Sequence, residues 1–279
     1  MSKRSMGMSN VEHAVILAAG RGKRLRQPDP SVQLDPAVEA VVRQGFKALV
    51  PIHGRAFMDY IVERLMEAGI HRVCLIVAPD ADPLIRYVSG LSERFPGLSA
   101  QYVVQPEPLG TAHALLFARP VTGDRDFLIL NSDDLYPVNA LHVAVEPESG
   151  TSCAVGFEQD ALIRGSNFDE ARVSALGILA ARRDAPDLLE CVVEKPERPE
   201  EYRRDGRLWV TMNLWRFTPA IYDCCESIPL SSRGEYELPA AVQALIDTGT
   251  PVRLLRCAEG VLDLTSRADI KRLEELLRS

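Results

Sequence analysis

The segment Val15-Ile16-Leu17-Ala18-Ala19-Gly20-Arg21-Gly22-Lys23-Arg24-Leu25 joins an apolar run to closely spaced glycines and then to cations. A strand running into a phosphate-binding loop would read this way. Glycines let backbone N–H groups approach a phosphate, and a following helix would add its positive N-terminal end. Arg24 can pair bidentately with phosphate oxygens. The loop is not the dinucleotide fingerprint, because Leu25 stands where a third glycine is required, and no Gly-Lys-Ser/Thr follows as in a Walker loop. A tight turn with solvated basic residues is the plain alternative. A second segment, Gln105-Pro106-Glu107-Pro108-Leu109-Gly110-Thr111-Ala112-His113-Ala114, offers a Gln amide, donor and acceptor together. Its plain alternative is a Pro-Gly turn with Thr111 capping a helix, and His113 reads as structural. A third, Phe127-Leu128-Ile129-Leu130-Asn131-Ser132-Asp133-Asp134, is a buried strand ending in carboxylates. Adjacent residues of extended chain point opposite ways, so Asp133 and Asp134 are not expected to share one role.

The elements that must position these residues alternate through the first half. Apolar runs at His13–Leu17, Val73–Val77, Gln101–Val104 and Phe127–Leu130 read as strands. Between them, Phe57, Ile61, Leu65 and Met66 recur at helical spacing up to Gly69. Leu84, Ile85, Val88 and Leu91 do the same before Pro96-Gly97, and Thr111–Phe117 is a short helix. Strand–helix alternation implies a parallel sheet covered on both faces, with ligands beyond the carboxyl ends of its strands. The second half reads as strands at Cys153–Phe157, Arg172–Ala180, Leu188–Val193, Leu208–Phe217 and Val252–Cys257. Its helices are Tyr236–Asp247 and Ala268–Leu277. Residues 27–45 interrupt the pattern. Pro28, Pro30 and Pro36 make the start irregular, and Ala37–Val42 could form a helical turn or two. That segment is read either as a passive insertion or as one that is mobile until it orders over a ligand or against a partner subunit.

In chain order these segments resemble the sugar-phosphate nucleotidyltransferases, the glucose-1-phosphate thymidylyltransferases and uridylyltransferases of the nucleotide-diphospho-sugar transferase superfamily. The glycine loop is similar to that family's Leu-Ala-Ala/Gly-Gly-x-Gly-x-Arg-Leu. The Gln105 segment is similar to Gln-x-x-Pro-x-Gly-Thr-Ala-x-Ala, and Lys47 to Leu49 and Pro51 to Lys-x-Leu-x-Pro. Asp133 stands in the family's Gly-Asp-x, with Ser132 replacing the glycine. Gly177 lies in Ala175-Leu176-Gly177-Ile178, and Glu194-Lys195-Pro196 matches Glu-Lys-Pro. Asn213 lies in a strand whose usual glycine is missing, and Asp263 lies in Gly260-Val261-Leu262-Asp263-Leu264-Thr265-Ser266. Ser266 or Thr265 is the better cap for the last helix.

The resemblance implies a Rossmann-like three-layer α/β/α fold with a mixed, mainly parallel central sheet. Residues 1–10 would be a loose tail and 11–279 one domain, with a nucleotide-binding half at about 11–135 and a sugar-phosphate half at about 136–279. It implies coupling of a nucleoside triphosphate to a sugar 1-phosphate with release of pyrophosphate, UTP or dTTP being favoured over purines. Leu17, Ala18, Ala19, Gly20, Gly22, Gln105, Gly110 and Thr111 would contact the nucleotide. Arg24 and Lys47 would hold the triphosphate. Gly177, Glu194, Lys195 and Asn213 would hold the sugar phosphate, and Asp133 and Asp263 would bind Mg²⁺. The competing readings are a non-catalytic nucleotide-sugar sensor and a metal-dependent glycosyltransferase. A sensor would typically have lost a metal carboxylate or phosphate cation, and a glycosyltransferase would need no pyrophosphate site.

Composition agrees with this frame. The chain has 279 residues, 46% hydrophobic and 25% charged, enough to bury a large core. A net charge of −7 argues against nucleic-acid binding, so the basic residues that matter should be local. The six cysteines show no metal-ligand spacing and read as reduced thiols in a cytoplasmic protein. No apolar stretch approaches a membrane span. Self-association is left open.

Overall fold

The structure is a computed structural model that describes residues 11–194 and 196–277. Its centre is a mixed sheet. Apart from a short hairpin pairing Pro51–Ile52 with Arg55–Ala56, the strands in chain order are β1 (His13–Leu17), β2 (Arg72–Val77), β3 (Ser99–Val104), β4 (Phe127–Asn131), β5 (Asp134–Leu135), β6 (Ser152–Glu158), β7 (Ile178–Ala181), β8 (Leu189–Val193), β9 (Trp209–Phe217), β10 (Val252–Cys257) and β11 (Leu262–Asp263). The main sheet runs β8-β7-β9-β4-β1-β2-β3, with β6 joining β9 to β10, while β5 and β11 form a separate antiparallel pair. β4, β1, β2 and β3 are mutually parallel, and β9 lies antiparallel to β4.

Strand sequences explain the layering. On β1, Ala14 and Ile16 enter one core and Val15 the other; on β4, Leu128 and Leu130 oppose Phe127 and Ile129. Such strands are apolar on both faces because helices cover both. Two helices, α1 (Lys23–Arg26) and α2 (Pro36–Gln44), follow β1; one layer over the sheet contains α3 (Phe57–Glu67) and α4 (Asp82–Ser89), and the other contains α5 (Thr111–Leu116), α6 (Ala220–Ser227) and α7 (Leu238–Asp247). Among the described residues no helix is long and apolar enough to cross a membrane.

The structure corrects three sequence expectations. Residues 172–180 do not form one strand. Asp169 accepts from Arg172 N at 2.9 Å and caps a helix over Glu170–Ser174, so β7 begins only at Ile178. The helix expected from Tyr236 begins at Leu238, because Tyr236 uses its backbone elsewhere: its N–H donates to Leu109 O at 2.7 Å and its carbonyl accepts from Ala112 N at 2.9 Å. The helical pattern from Leu84 to Leu91 breaks at Gly90 into α4 and a single turn over Leu91–Arg94.

Residues 27–35 form no helix or strand, as their prolines imply, and the helical part of the 27–45 segment is longer than the turn or two expected at Ala37–Val42. Asp35 accepts from Ala37 N at 2.8 Å and caps a helix over Pro36–Gln44, which ends at Gly45 with φ 81°. Arg267, at the start of the last helix (Arg267–Leu276), clamps it by pairing with both Glu39 oxygens and donating to Gln27 O at 2.8 Å. The Arg267 contact holds the Glu39 carboxyl down at about 2. Because that carboxyl is depressed in the folded chain, the clamp is complete above the ordinary glutamate range and fades as pH falls toward 2. Arg267→Ala is expected to speed amide hydrogen exchange throughout residues 27–45 while leaving β1 and β4 protected. Unchanged exchange in that segment would show that the helix holds itself in place.

Candidate active site

A cavity of about 420 Å³ opens at the carboxyl ends of the parallel strands. β1 and β4 are neighbours there, while β2 and β3 lead away on the other side of β1. Divergence of the connections leaves a crevice at such a switch point. Each parallel strand contributes to it: β1 the glycine loop, β2 Ile76, β3 Gln105 and β4 Asp133.

The cavity wall includes Leu17, Ala18, Ala19, Gly20, Gly22 and Arg24 from the loop. Gln105, Gly110, Thr111, Lys47 and Asp133 complete the sequence-predicted part of that wall. The loop is held from behind. A Cβ on Gly22 (φ 52°) would sit 2.5 Å from Gly45 O, so the loop and the end of the Pro36–Gln44 helix touch backbone to backbone. The 27–45 segment thus supports the loop, an arrangement that sequence spacing did not reveal. The helix after the loop spans only Lys23–Arg26 and carries no side-chain cap. Its dipole contribution is correspondingly small, and positive charge at this wall comes from the Lys23 and Arg24 side chains. Arg21, by contrast, is paired with Asp80 at the rim.

Gly110 has φ 103° and ψ 178°, a region open essentially to glycine alone. A Cβ there would press on Tyr236 O and lie 2.8 Å from Tyr236 N. Thr111 does not cap α5. Its hydroxyl instead accepts from Leu238 N at 2.9 Å and ties α5 to the start of α7. Gly110→Ala is expected to destabilise the fold by about 1–3 kcal/mol through backbone strain and to raise the KM for the triphosphate. Urea unfolding and initial-rate kinetics measure the two effects; normal values for both would mean the Tyr236 segment can move aside.

Asp133 and Asp263 approach each other through the small β5–β11 pair, in which Asp134 lies opposite Asp263. Lys47 Nζ donates to Asp133 Oδ2 at 2.7 Å and lies 3.3 Å from Thr265 Oγ1. Asp263 is not part of the cavity wall, and three residues not anticipated from the sequence fix it. Asn167 acts as a substitute strand, its Oδ1 accepting from Asp263 N and its Nδ2 donating to Asp263 O, both at 2.7 Å. The Arg172 guanidinium pairs with the Asp263 carboxylate and donates to Asp269 at 3.1 Å. Asp269 and Ser266 form a capping box at the last helix. Asp134 is turned inward, as the alternation expects, but it is more than a turn cap. Its Oδ2 accepts from Asn131 Nδ2 at 2.9 Å, while its buried Oδ1 finds no partner among the described residues. Burial, then the Asp133 and Asp263 charges, push its carboxyl well above the ordinary range. Burial and Asp133 raise Asp263 likewise, against the opposing pull of Arg172. When all are ionised, the three carboxylates Asp133, Asp134 and Asp263 outnumber Lys47 and Arg172, the two cations paired with them. Hard carboxylate oxygens with unrelieved charge suit a hard divalent cation. Among the described residues no cluster of three or more His, Cys, Asp or Glu side chains forms a ready metal cage.

The predicted residues Gly177, Glu194 and Asn213 group with one another around Thr211, and none of them is part of the cavity wall. A Cβ on Gly177 would lie 2.7 Å from Glu194 Oε1 and 3.2 Å from a Thr211 methyl. Gly177 O accepts from Thr211 N at 2.8 Å, and Thr211 Oγ1 accepts from Asn213 N at 3.0 Å. Asn213 has φ 57° within an irregularity of β9, between Thr211 and Trp215. The strand changes neighbour there, from β7 at Val210 to β4 at Trp215. Asn tolerates the left-handed region better than most residues, which accounts for the missing glycine. Lys195 lies outside the described residues.

Comparisons with known proteins give the fold and the family. A close structural likeness is the inositol-1-phosphate CTP transferase from T. maritima, with TM-score 0.71, 19% identity and 96% and 95% of the two chains covered. A UDP-glucose pyrophosphorylase complexed with UDP-glucose gives TM-score 0.69 at 16% identity, covering 95% and 98%. Both show the fold. In sequence, the UTP–glucose-1-phosphate uridylyltransferase AglF of Haloferax volcanii is 28% identical over 265 residues, 95% of this chain and 96% of its own. A glucose-1-phosphate thymidylyltransferase of Streptomyces griseus is 31% identical over 240 residues, which is 86% of this chain but 59% of that enzyme. The profile of the nucleotidyl transferase family matches residues 13–258, and the chain belongs to that family.

Proposed function

We propose that this nucleotidyl transferase couples a pyrimidine nucleoside triphosphate, UTP or dTTP, to a sugar 1-phosphate, giving a nucleotide sugar and pyrophosphate. The observation that carries the reading is the convergence of the glycine loop, Arg24, Lys47, Gln105, Gly110 and Asp133 on one cavity at the sheet switch point. The acceptor is an anionic phosphate oxygen, so no protein nucleophile and no proton transfer are required. That oxygen bonds to the α-phosphorus as the bond to the leaving pyrophosphate breaks on the opposite side. The protein's work is to align two polyanions and offset their repulsion.

In this reading Ala19 to Gly22 present backbone to the phosphates, and Arg24 adds a bidentate cation. Lys47, already fixed beside Asp133, sits where negative charge accumulates. Gln105 and Gly110 receive the base. Gly177, Glu194 and Asn213 receive the sugar, with Lys195 assigned to its phosphate. Asp133 and Asp263 would hold Mg²⁺, which supplies Lewis-acid stabilisation of phosphate charge when bound. A matrix of triphosphates against sugar 1-phosphates, scored by pyrophosphate release, tests the proposal. Release with UTP or dTTP and at least one sugar phosphate is the expected result; tight binding of a nucleotide sugar without any release would favour a sensor.

A further inference from the structure

Gln105 is 5% exposed, yet it lines the cavity. Its Nε2 donates to Gly110 O at 3.0 Å and lies 3.1 Å from His113 Nδ1. A carbonyl oxygen can only accept, so the atom facing Gly110 is the amide nitrogen. The second amide hydrogen then points at His113 Nδ1, which must be the bare ring nitrogen, with the ring proton on Nε2. The imidazole is itself held, edge-on to Phe117 at 5.1 Å and tilted over Tyr236 at 6.4 Å. Both Gln105 hydrogens are thereby used inside the protein. Among the described residues nothing donates to its Oε1, and that oxygen is the group left for a base. Sequence reasoning treated the Gln amide as donor and acceptor at once; the packing leaves it an acceptor.

We propose that His113 is a specificity-positioning residue: by accepting from Gln105 it locks the amide with Oε1 toward the base, which favours uracil or thymine over cytosine. Uracil and thymine carry N–H at ring position 3, which donates to Oε1. Cytosine carries a bare nitrogen there, and two acceptors would face each other. Without the His113 acceptor, one amide hydrogen is released and the side chain can turn to offer a donor. This inference rests on the pyrimidine-triphosphate reading above.

The experiment measures kcat and KM for UTP, dTTP and CTP in the unsubstituted chain, His113→Leu and His113→Asn. Asn places a carbonyl oxygen close to the position of Nδ1. For His113→Leu the expected result is a KM for UTP about ten-fold higher, kcat changed far less, and a UTP-to-CTP ratio of kcat/KM about ten-fold smaller or less. His113→Asn should recover most of that ratio. A Leu variant that keeps the ratio, or an Asn variant that loses it as fully as Leu, overturns the proposal and leaves His113 a packing residue. A ring ¹⁵N spectrum of the unsubstituted chain tests the same point without mutation: a bare Nδ1 supports the lock and a protonated Nδ1 overturns it. Absence of pyrophosphate release from the unsubstituted chain with every pyrimidine triphosphate would instead sink the underlying functional reading, before any variant is made.

Discussion

Asp133→Asn is expected to lower kcat at least 10²-fold, roughly what removal of one electrostatic stabiliser from an active site costs. The substitution keeps the size of the side chain and removes its charge. Asp133 ends the β4 segment, lines the cavity, and is the partner of Lys47 Nζ at 2.7 Å. Its neutral replacement changes two things together: a hard anionic ligand is lost, and Lys47 is no longer held by an opposite charge. The fold should survive, because Asp133 lies at the end of the strand, partly open to solvent, while the buried neighbour Asp134 and the β5–β11 pair are untouched. Pyrophosphate release at saturating substrates and Mg²⁺, together with a thermal melt, checks both halves. A melt unchanged with turnover near normal would remove Asp133 from the mechanism. Asp263→Asn should act in the same direction, and it additionally leaves Arg172 without one of its two carboxylates.

Much of the architecture was legible because it is written locally. β1 is a short apolar run and β10 a run of apolar residues interrupted by Arg253 and Arg256, and their sequence limits coincide with the structure at His13–Leu17 and Val252–Cys257. The cavity wall was legible for a related reason. Its residues sit directly at strand ends, so a motif and its place in the fold arrive together. What was not legible depends on partners distant in sequence. Arg172 looked like the start of a strand because Val173 and the apolar residues after it dominate the local pattern. Asp169 overrides that pattern by capping a helix, and the turn brings Arg172 to Asp263, 91 positions away. Tyr236 is lost to its helix because its backbone is needed at Gly110. The 27–45 segment shows its prolines in the sequence but not Arg267, 228 positions from Glu39, which docks it. The bulge at Asn213 follows from β9 changing neighbours, and no window of residues records that event.

The second large effect concerns stability rather than chemistry. Asp126→Ala is expected to cost about 3–5 kcal/mol, the range for removing one partner of a buried ion pair. The Arg216 side chain is 0% exposed and Asp126 5%, and the guanidinium donates to Asp126 Oδ2 at 2.9 Å. Its Nη1 also donates to the carbonyls of Val145 and Pro147, at 3.3 and 2.7 Å, and its Nη2 to that of Glu148 at 3.0 Å, while the buried Nε finds no partner among the described residues. Asp126 also accepts from Gly150 N at 2.7 Å, so its removal strands a donor as well as a charge. Buried carbonyl dipoles cannot neutralise a full positive charge. Replacing both partners together, Asp126→Leu with Arg216→Met, should be milder, because neither charge is then left buried without its partner. The pair matters to the site through register. Arg216 stands opposite Leu128 on β4, so β9 is pinned to the strand that ends at Asp133, while Asn213 lies on the same β9 beyond that pinned stretch. Asp126→Ala should therefore lower Tm by roughly 10 °C yet retain turnover per folded molecule at low temperature. A loss of turnover in molecules shown to be folded would mean that the pair also sets the geometry of the β4 and β9 ends. An unchanged Tm would mean that water reaches Arg216 and solvates the stranded charge.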